Sequence, residues 1–406
     1  MNLPPVEIEI SYNATTLRGI FRVQTAQENA IWERLTQRAT ALESDYELAP
    51  GTLEVPWTAV LSVIREFAPL QRTQGFNFRP VGIAKEKIDQ FVREYKAVKN
   101  SRGTLAAALT DEEINQQLRA HDFTKRDLKS FQTRDLSHLL SLANGANFSV
   151  PGAGKTTVTF ALHLLTQKQG QHFLVVAPKN AFMAWQDVVR DCIDANGKSS
   201  NGEPFTVLTG PPDAIAALLD SGASRFLINY DQLIRIPTII SAYLSRRAVH
   251  LVLDESHRMK AGMASQRGSL LLNLSSLPIR RDILSGTPMP QSTSDLQSQL
   301  DFLWPGTGLG LKIGQGAAPR EVLGNLYVRT TKSQLGLLKP HRQFINVEMS
   351  PGQQALYAIV RNEALKQLSS LKLERRVDVY RARRSVMTLL QLSVNPVLAL
   401  KAMAET

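Results

Sequence analysis

The stretch Ser149-Val-Pro-Gly-Ala-Gly-Lys-Thr-Thr157 combines two closely spaced glycines, a lysine and two hydroxyl side chains. Glycine at 152 and 154 lets the backbone curl so that successive N–H groups face one point, which is how a loop cradles phosphate oxygens. Lys155 then reaches the β- and γ-phosphates of a nucleotide, and the Thr156 hydroxyl is a ligand for Mg²⁺. Pro151, Gly152, Ala153, Gly154, Lys155, Thr156 and Thr157 are the candidate ATP-binding residues. The glycine-first form of the pattern fails at one place, where Ser149 stands.

A second constellation lies further on. His250-Leu-Val-Leu-Asp-Glu-Ser-His257 ends an apolar run in two adjacent carboxylates. Neighbours on an extended chain point to opposite sides. Asp254 is therefore expected to hold Mg²⁺, while Glu255 faces the γ-phosphate and polarises the attacking water. That division suits phosphoryl transfer to water, where positioning and charge neutralisation supply most of the rate. Glu255, Lys155 and Asp254 form the expected catalytic set. A plain Gly-rich turn and an exposed acidic turn are the bland alternatives. Their order along the chain, phosphate loop first and acidic strand end later, favours the phosphate chemistry.

These residues need a scaffold that brings loop ends together. Apolar segments over 146–150, 173–177, 205–208, 226–228, 250–253 and 282–284 read as strands, with helices between them over 158–165 and 181–192 among others. Continuous apolar runs are the mark of parallel strands buried on both faces. The alternation predicts an α/β fold with a doubly wound parallel sheet, whose ligand sits at the carboxyl ends of the strands. Gln132, ahead of the phosphate loop, offers an amide that donates and accepts, so it could read the edge of adenine. The Ser285-Gly286-Thr287 turn follows another strand and is a candidate for coupling the phosphate site to a neighbouring surface.

Residues 1–105 read as a small, separate α+β domain of unknown role. Val6, Ile8, Ile10 and Tyr12 alternate with polar residues as in a half-buried strand, and a second strand is expected over 17–23. Thr25 and Glu28 suggest a capping box before a helix holding Ile31, Trp32 and Leu35, and two more helices fit 57–70 and 83–98. Arg72, Arg79, Lys85, Lys87, Arg93, Lys96 and Lys99 could touch DNA, although a solvated basic face is the commoner meaning. Asn100-Ser-Arg-Gly-Thr104 reads as a linker, and Thr110 with Glu113 starts a new capped helix.

The whole chain of 406 residues is 43% hydrophobic and 20% charged, the composition of a soluble globular protein long enough for two or three domains. No apolar run approaches membrane-spanning length, and the first residues lack the order of a secretory signal. Cys192 is the single cysteine, which excludes an intrachain disulfide or a cysteine-cluster metal site. A cytoplasmic home is expected, nucleoid-associated in a bacterium. The formal net charge of +11 suits a polyanion such as nucleic acid.

Taken together the motifs resemble the first motor lobe of helicase superfamily two, and within it the Swi/Snf-type DNA translocases. Leu128 to Gln132 is similar to their adenine-recognising glutamine motif and Ser149 to Thr157 to their nucleotide loop, whose usual form also lacks the leading glycine. Val176 to Trp185 resembles motif Ia and Asn229-Tyr-Asp-Gln-Leu233 motif Ib. These place DNA contacts at Pro178, Lys179, Asn229 and Tyr230. Asp254-Glu-Ser-His257 with Arg258-Met-Lys260 resembles the acidic box, and Leu284 to Pro290 motif III with the tail to Gly306 behind it. Tyr327 to Lys332, Val347 to Gln354 and Arg383 to Pro396 resemble the passage towards a second lobe.

The resemblance implies a RecA-like ATPase lobe over 106–345 and, over 346–406, a helical segment leading to a second RecA-like lobe that is missing here. It implies ATP and Mg²⁺ as cofactors and DNA, double-stranded, as partner. Without the second lobe's arginines, weak binding and slow hydrolysis are expected. Two alternatives stay open: a strand-separating helicase or RNA-dependent ATPase, and a nucleotide-gated DNA-binding sensor module. Family-level expectation adds protein partners of a phage-defence or remodelling system.

Overall fold

The computed structural model describes residues 5–24, 30–103, 109–194, 200–259, 262–336, 343–369 and 386–397. The Thr25–Glu28 capping box, Thr104, Lys260 and the Arg383–Ser385 stretch lie outside the described residues. The chain divides into two compact units, residues 1–337 and 338–406.

Among its described residues the first unit holds two sheets. In chain order the first comprises β1 (Val6–Asn13), β2 (Arg18–Val23), β3 (Glu47–Ala49), β4 (Thr52–Pro56) and β5 (Phe76–Pro80), arranged β3-β4-β2-β1-β5. Alternation puts Ile8, Ile10 and Phe21 on one buried face, where Trp57, Val60 and Ile64 of the helix Trp57–Phe67 cover them. β5 runs parallel to β1; exposed Asn77 and Arg79 alternate with Phe76 and Phe78, over too few residues for the pattern to stand out in sequence. The helix Ile83–Gly103 runs through the stretch expected to be a linker. Its end is held down: Val98 is buried, and Arg102 donates to the Glu321 carbonyl at 2.8 Å.

The second sheet comprises β6 (Gly145–Asn147), β7 (His172–Val176), β8 (Thr206–Val207), β9 (Arg225–Ile228), β10 (Val249–Asp254), β11 (Arg280–Leu284) and β12 (Tyr327–Val328). All pairings are parallel, in the order β12-β6-β11-β10-β7-β9-β8. Its helices form two packed groups. One joins Asp111–Arg119, Ser130–Leu140, Lys155–Thr166 and Phe182–Cys192; the other joins Pro212–Leu219, Pro237–Arg246, Gln266–Leu274, Gln297–Leu303 and Leu309–Gly314. This is the RecA-like α/β arrangement, and β7, β9, β10 and β11 are buried almost throughout. The Thr110–Glu113 capping box is formed, with both reciprocal bonds present.

Register positions the site. Asp254 lies opposite Leu284, Leu284 opposite Asn147, Leu253 opposite Val176, and Val176 opposite Ile228. The loops that begin after residues 147, 176, 228, 254 and 284 therefore leave one edge of the sheet together.

β11 starts earlier than its apolar residues suggest, because Arg280 and Arg281 are buried with it. Arg281 donates to the carbonyls of Leu303 and Ser275 and, at 2.5 Å, to Glu94 on the helix Ile83–Gly103. Lys87 of the same helix sits over the Tyr12 ring and reaches the Ser276 carbonyl, and Arg79 pairs with Glu7 and Glu9. These three basic groups are already engaged within the chain.

In the second unit the helix Pro351–Ser369 and a helical stretch over 386–394 are described, and Gln353 donates to the Leu392 carbonyl at 2.8 Å. Among the described residues no helix is long and apolar enough to cross a membrane.

Candidate nucleotide-binding site

The phosphate loop leaves β6 and enters the helix Lys155–Thr166. Gly152 has φ 85° and Gly154 φ 77°, both left-handed. A side chain at Gly154 would also collide with the Gln132 amide behind it. Gln132 is buried; its oxygen accepts from the Lys129 N–H at 3.0 Å and its nitrogen donates to the Ala153 carbonyl at 3.1 Å. In this structure Gln132 braces the loop from behind, a task that its two-sided amide also suits.

Ser149, the residue that breaks the glycine-first pattern, joins a buried network. Its hydroxyl donates to Asp135 at 3.3 Å and accepts from the Thr330 N–H at 2.9 Å; the Thr330 hydroxyl donates to Asp135 at 2.7 Å. The Val150 N–H donates to the Thr330 carbonyl at 3.1 Å, beyond the end of the β6–β12 ladder. The loop's approach is thus stitched to the segment after β12. Neither Asp135 nor Thr330 was legible in sequence, since each gains its meaning from a partner far along the chain.

Lys155 donates to the Ser149 carbonyl at 3.0 Å. Burial pulls its ammonium below the usual lysine range, and the charges of Glu255 and Asp254 oppose that pull. Pro151 and Gly152 are exposed at the loop tip, Ala153 and Thr157 are buried, and Thr156 is half-buried in the first turn of the helix. The helix N-terminus adds its positive dipole end to the loop N–H groups.

Asp254 ends β10 and is only 8% exposed. Its carboxylate accepts from the Glu255 N–H at 2.9 Å and from the Trp185 indole N–H at 3.0 Å. Burial raises its pKa above the usual carboxylate range; the Trp185 bond and the Lys155 charge act the other way. A desolvated carboxylate of this kind gains from a cation beside it.

Glu255 does not continue the strand. Its φ is 51°, so a left-handed turn, and not the alternation of an extended chain, aims its side chain. The expected reason for the separation of the two carboxylates is corrected accordingly. A non-glycine residue held there costs roughly 1–3 kcal/mol, and such outliers cluster at functional sites. His257 Nδ1 lies 3.2 Å from Glu255 Oε2 and 3.2 Å from Ser285 Oγ, and Ser285 Oγ accepts from the Thr287 N–H. Gly286 packs against Pro151 closely enough that a side chain there would press on the proline ring. Beneath them buried Gln299 accepts from the Ser256 hydroxyl at 2.6 Å and donates to the Pro288 carbonyl at 2.8 Å. It links the acidic turn to the turn after β11, and no spacing signal marks it.

The expected DNA contacts divide. Lys179 is exposed, Pro178 is buried, and Asn229 uses its side chain to cap the next helical turn, accepting from Gln232 N–H at 2.9 Å. Tyr230 is 2% exposed and its hydroxyl donates to the Asp254 carbonyl at 2.7 Å. Burial pushes that phenol well above its ordinary pKa. Its side chain is a strut under the acidic pair, so the expectation of a DNA contact by Tyr230 is corrected. Trp185, read as part of a backbone-contact motif, is likewise internal.

No cluster of three or more His, Cys, Asp or Glu side chains able to cage a metal occurs among the described residues. The donors at hand, one carboxylate at Asp254 and one hydroxyl at Thr156, fit Mg²⁺, which is bound by one or two protein oxygens together with substrate phosphates and water.

A family model described as "SNF2-related domain" matches residues 131–308. The SWI/SNF chromatin-remodeling complex subunit snf22 of Schizosaccharomyces pombe is 27% identical over 194 residues, covering 45% of this chain and 11% of that protein. Helicase SWR1 of Saccharomyces cerevisiae is 28% identical over 206 residues, covering 47% of this chain and 13% of that protein. The chain thus spans only a small part of the curated relatives' length. Among solved structures, the UvsW helicase from Bacteriophage T4 aligns with 73% of this chain and 97% of its own at 12% identity, with a TM-score of 0.39. Residues 131–308, which hold the glycine turn at 152–154, the acidic pair at 254–255 and six of the seven described strands of the parallel sheet in full, are thus similar to an SNF2-related domain, and the relatives named are a chromatin-remodeling subunit and a helicase.

Proposed function

We propose that the domain hydrolyses magnesium–ATP and uses it to move along double-stranded DNA. The observation that carries the nucleotide half is geometric: register brings the end of β6, from which the left-handed glycine turn leads to Lys155, and the end of β10, which carries Asp254 with Glu255 next to it, to one sheet edge. Lys155 and the loop N–H groups would hold the β- and γ-phosphates. Thr156 and Asp254 would hold Mg²⁺, which supplies charge neutralisation on the phosphates. Glu255, oriented by His257, would position and deprotonate water. Ser285, Gly286 and Thr287 would report the state of that site to neighbouring surface through the His257 contact. Gln132 would add adenine recognition to its bracing role.

The DNA half rests on the net charge of +11 and on exposed Lys179 at the same sheet edge. Backbone contacts of that kind weaken steeply with salt and read little sequence. Residues 1–105 serve in this reading as an accessory layer, 106–345 as the first lobe, and 346–406 as the passage to a second. A role in antiviral defence belongs to the same proposal. ATP turnover measured with duplex DNA, single-stranded DNA and RNA tests it. Stimulation by duplex above the other two supports translocation on DNA. Preference for single strands or RNA favours a helicase, and DNA binding that needs ATP without turnover favours a sensor.

A further inference from the structure

We propose that Trp185 is a positioning residue for the metal-binding carboxylate: its indole N–H fixes the Asp254 side chain in the orientation that receives a magnesium–nucleotide complex. This inference rests on the nucleotide reading above.

The Asp254 carboxylate has two oxygens and each already has one donor. Oδ1 takes the Glu255 N–H at 2.9 Å; Oδ2 takes the Trp185 N–H at 3.0 Å. The first bond comes from the adjacent backbone and follows the turn at Glu255. The second is the side chain's anchor to a different element, the helix Phe182–Cys192. Two donors on opposite oxygens fix the plane of the carboxylate, and each oxygen keeps lone-pair capacity for a further partner.

The anchor itself has no freedom. Trp185 is 0% exposed, and its ring stands edge-on to Phe173 at 5.9 Å and to Phe205 at 5.7 Å, both at 73°. Packing therefore sets the direction of the N–H. Core filling alone does not ask for that group, since another large apolar side chain fills space without bringing a polar atom that must be satisfied.

The donor's neutrality also matters. A lysine or arginine at this place would cancel the Asp254 charge and compete with a cation. An indole N–H orients the carboxylate and leaves its charge for the metal. Outer partners of metal ligands commonly act in this way.

The test is equilibrium binding of a fluorescent ATP analogue to the full chain as Mg²⁺ is titrated. Wild type, Trp185→Phe, Asp254→Asn and the double variant are compared, with thermal melts alongside. Trp185→Phe is expected to raise the Mg²⁺ concentration for half-maximal binding by about tenfold or more. It should leave binding in excess chelator unchanged and add nothing once Asp254 is asparagine. Unchanged Mg²⁺ dependence overturns the inference. So does an equal loss in chelator, or an undiminished effect in the Asp254→Asn background, since either marks a role in packing alone. If Trp185→Phe does not fold, benzothienylalanine at 185 keeps the ring shape, removes the N–H, and must give the same shift. Wild-type protein that binds the analogue with no Mg²⁺ dependence overturns the nucleotide reading itself, and this inference with it.

Discussion

β10 buries ionisable groups at both ends and treats them in opposite ways. At its start His250 is fully buried; its Nε2 lies 2.7 Å from Asp282, which also takes Arg280 at 2.6 Å, and its Nδ1 lies 3.2 Å from His163. Arg280 spends its remaining donors on the carbonyls of Leu142 and Leu139. At the far end Asp254 has two neutral donors on its carboxylate, and Glu255 stands partly exposed in a left-handed turn. One end is a closed circuit, in which every partner is supplied by the fold. The other leaves negative charge under-compensated beside Lys155. Burial of charge alone does not mark a site; burial with its compensation incomplete does.

The contrast gives an ordered set of expectations. Glu255→Gln should lower ATP hydrolysis by about 10²–10⁴-fold, with the melting temperature and nucleotide affinity close to wild type. Asp282→Ala should do the reverse. It leaves Arg280 and His250 without their carboxylate, and breaking a buried pair of this kind costs about 3–5 kcal/mol in urea unfolding. Nucleotide affinity of the folded fraction should be kept. A hydrolysis defect in Asp282→Ala at full folding, or a large stability loss in Glu255→Gln, would erase the distinction.

Acid should expose the closed end next. Burial, first of all, holds both His163 and His250 below the usual histidine range. The unfolded chain therefore takes up protons before the folded one as pH falls through about 6.5. The contribution of these two histidines is constant above that value and falls below it, by up to about 1.4 kcal/mol per pH unit for each. Urea unfolding between pH 7.5 and 5 checks the sign, and His163→Leu should flatten the slope. The smallest effect concerns backbone. Glycine is ordinarily less stable than alanine, but at position 255 Glu255→Gly should exceed Glu255→Ala by about 1 kcal/mol, because φ is positive there. The usual order of the two variants would show that the turn is not strained.

Much of the candidate site's edge was legible because its signals are local. Gly152, Gly154 and Lys155 announce a curled turn by their types, and Leu251 to Asp254 announces a buried strand ending in a carboxylate. The six apolar runs read as strands all occur as strands of the parallel sheet. What stayed hidden depends on partners distant in sequence. Arg280 and Arg281 look like surface charges until Asp282, Glu94 and several carbonyls close around them. Tyr230 and Trp185 look like members of a DNA-facing stretch, yet each turns inward to Asp254. β12 is too short to carry periodicity, and its pairing with β6 follows from tertiary folding. Glu255 was expected to diverge from Asp254 by strand alternation, whereas a left-handed turn does that work.

The account stands on one shared pocket. Diffraction from crystals grown with Mn²⁺ and a non-hydrolysable ATP analogue tests it most directly. The prediction is an anomalous peak held by Thr156 and Asp254, with the triphosphate on the Gly152–Thr156 loop and Lys155 against its terminal phosphates. A peak elsewhere, or a triphosphate bound away from Lys155, would contradict it.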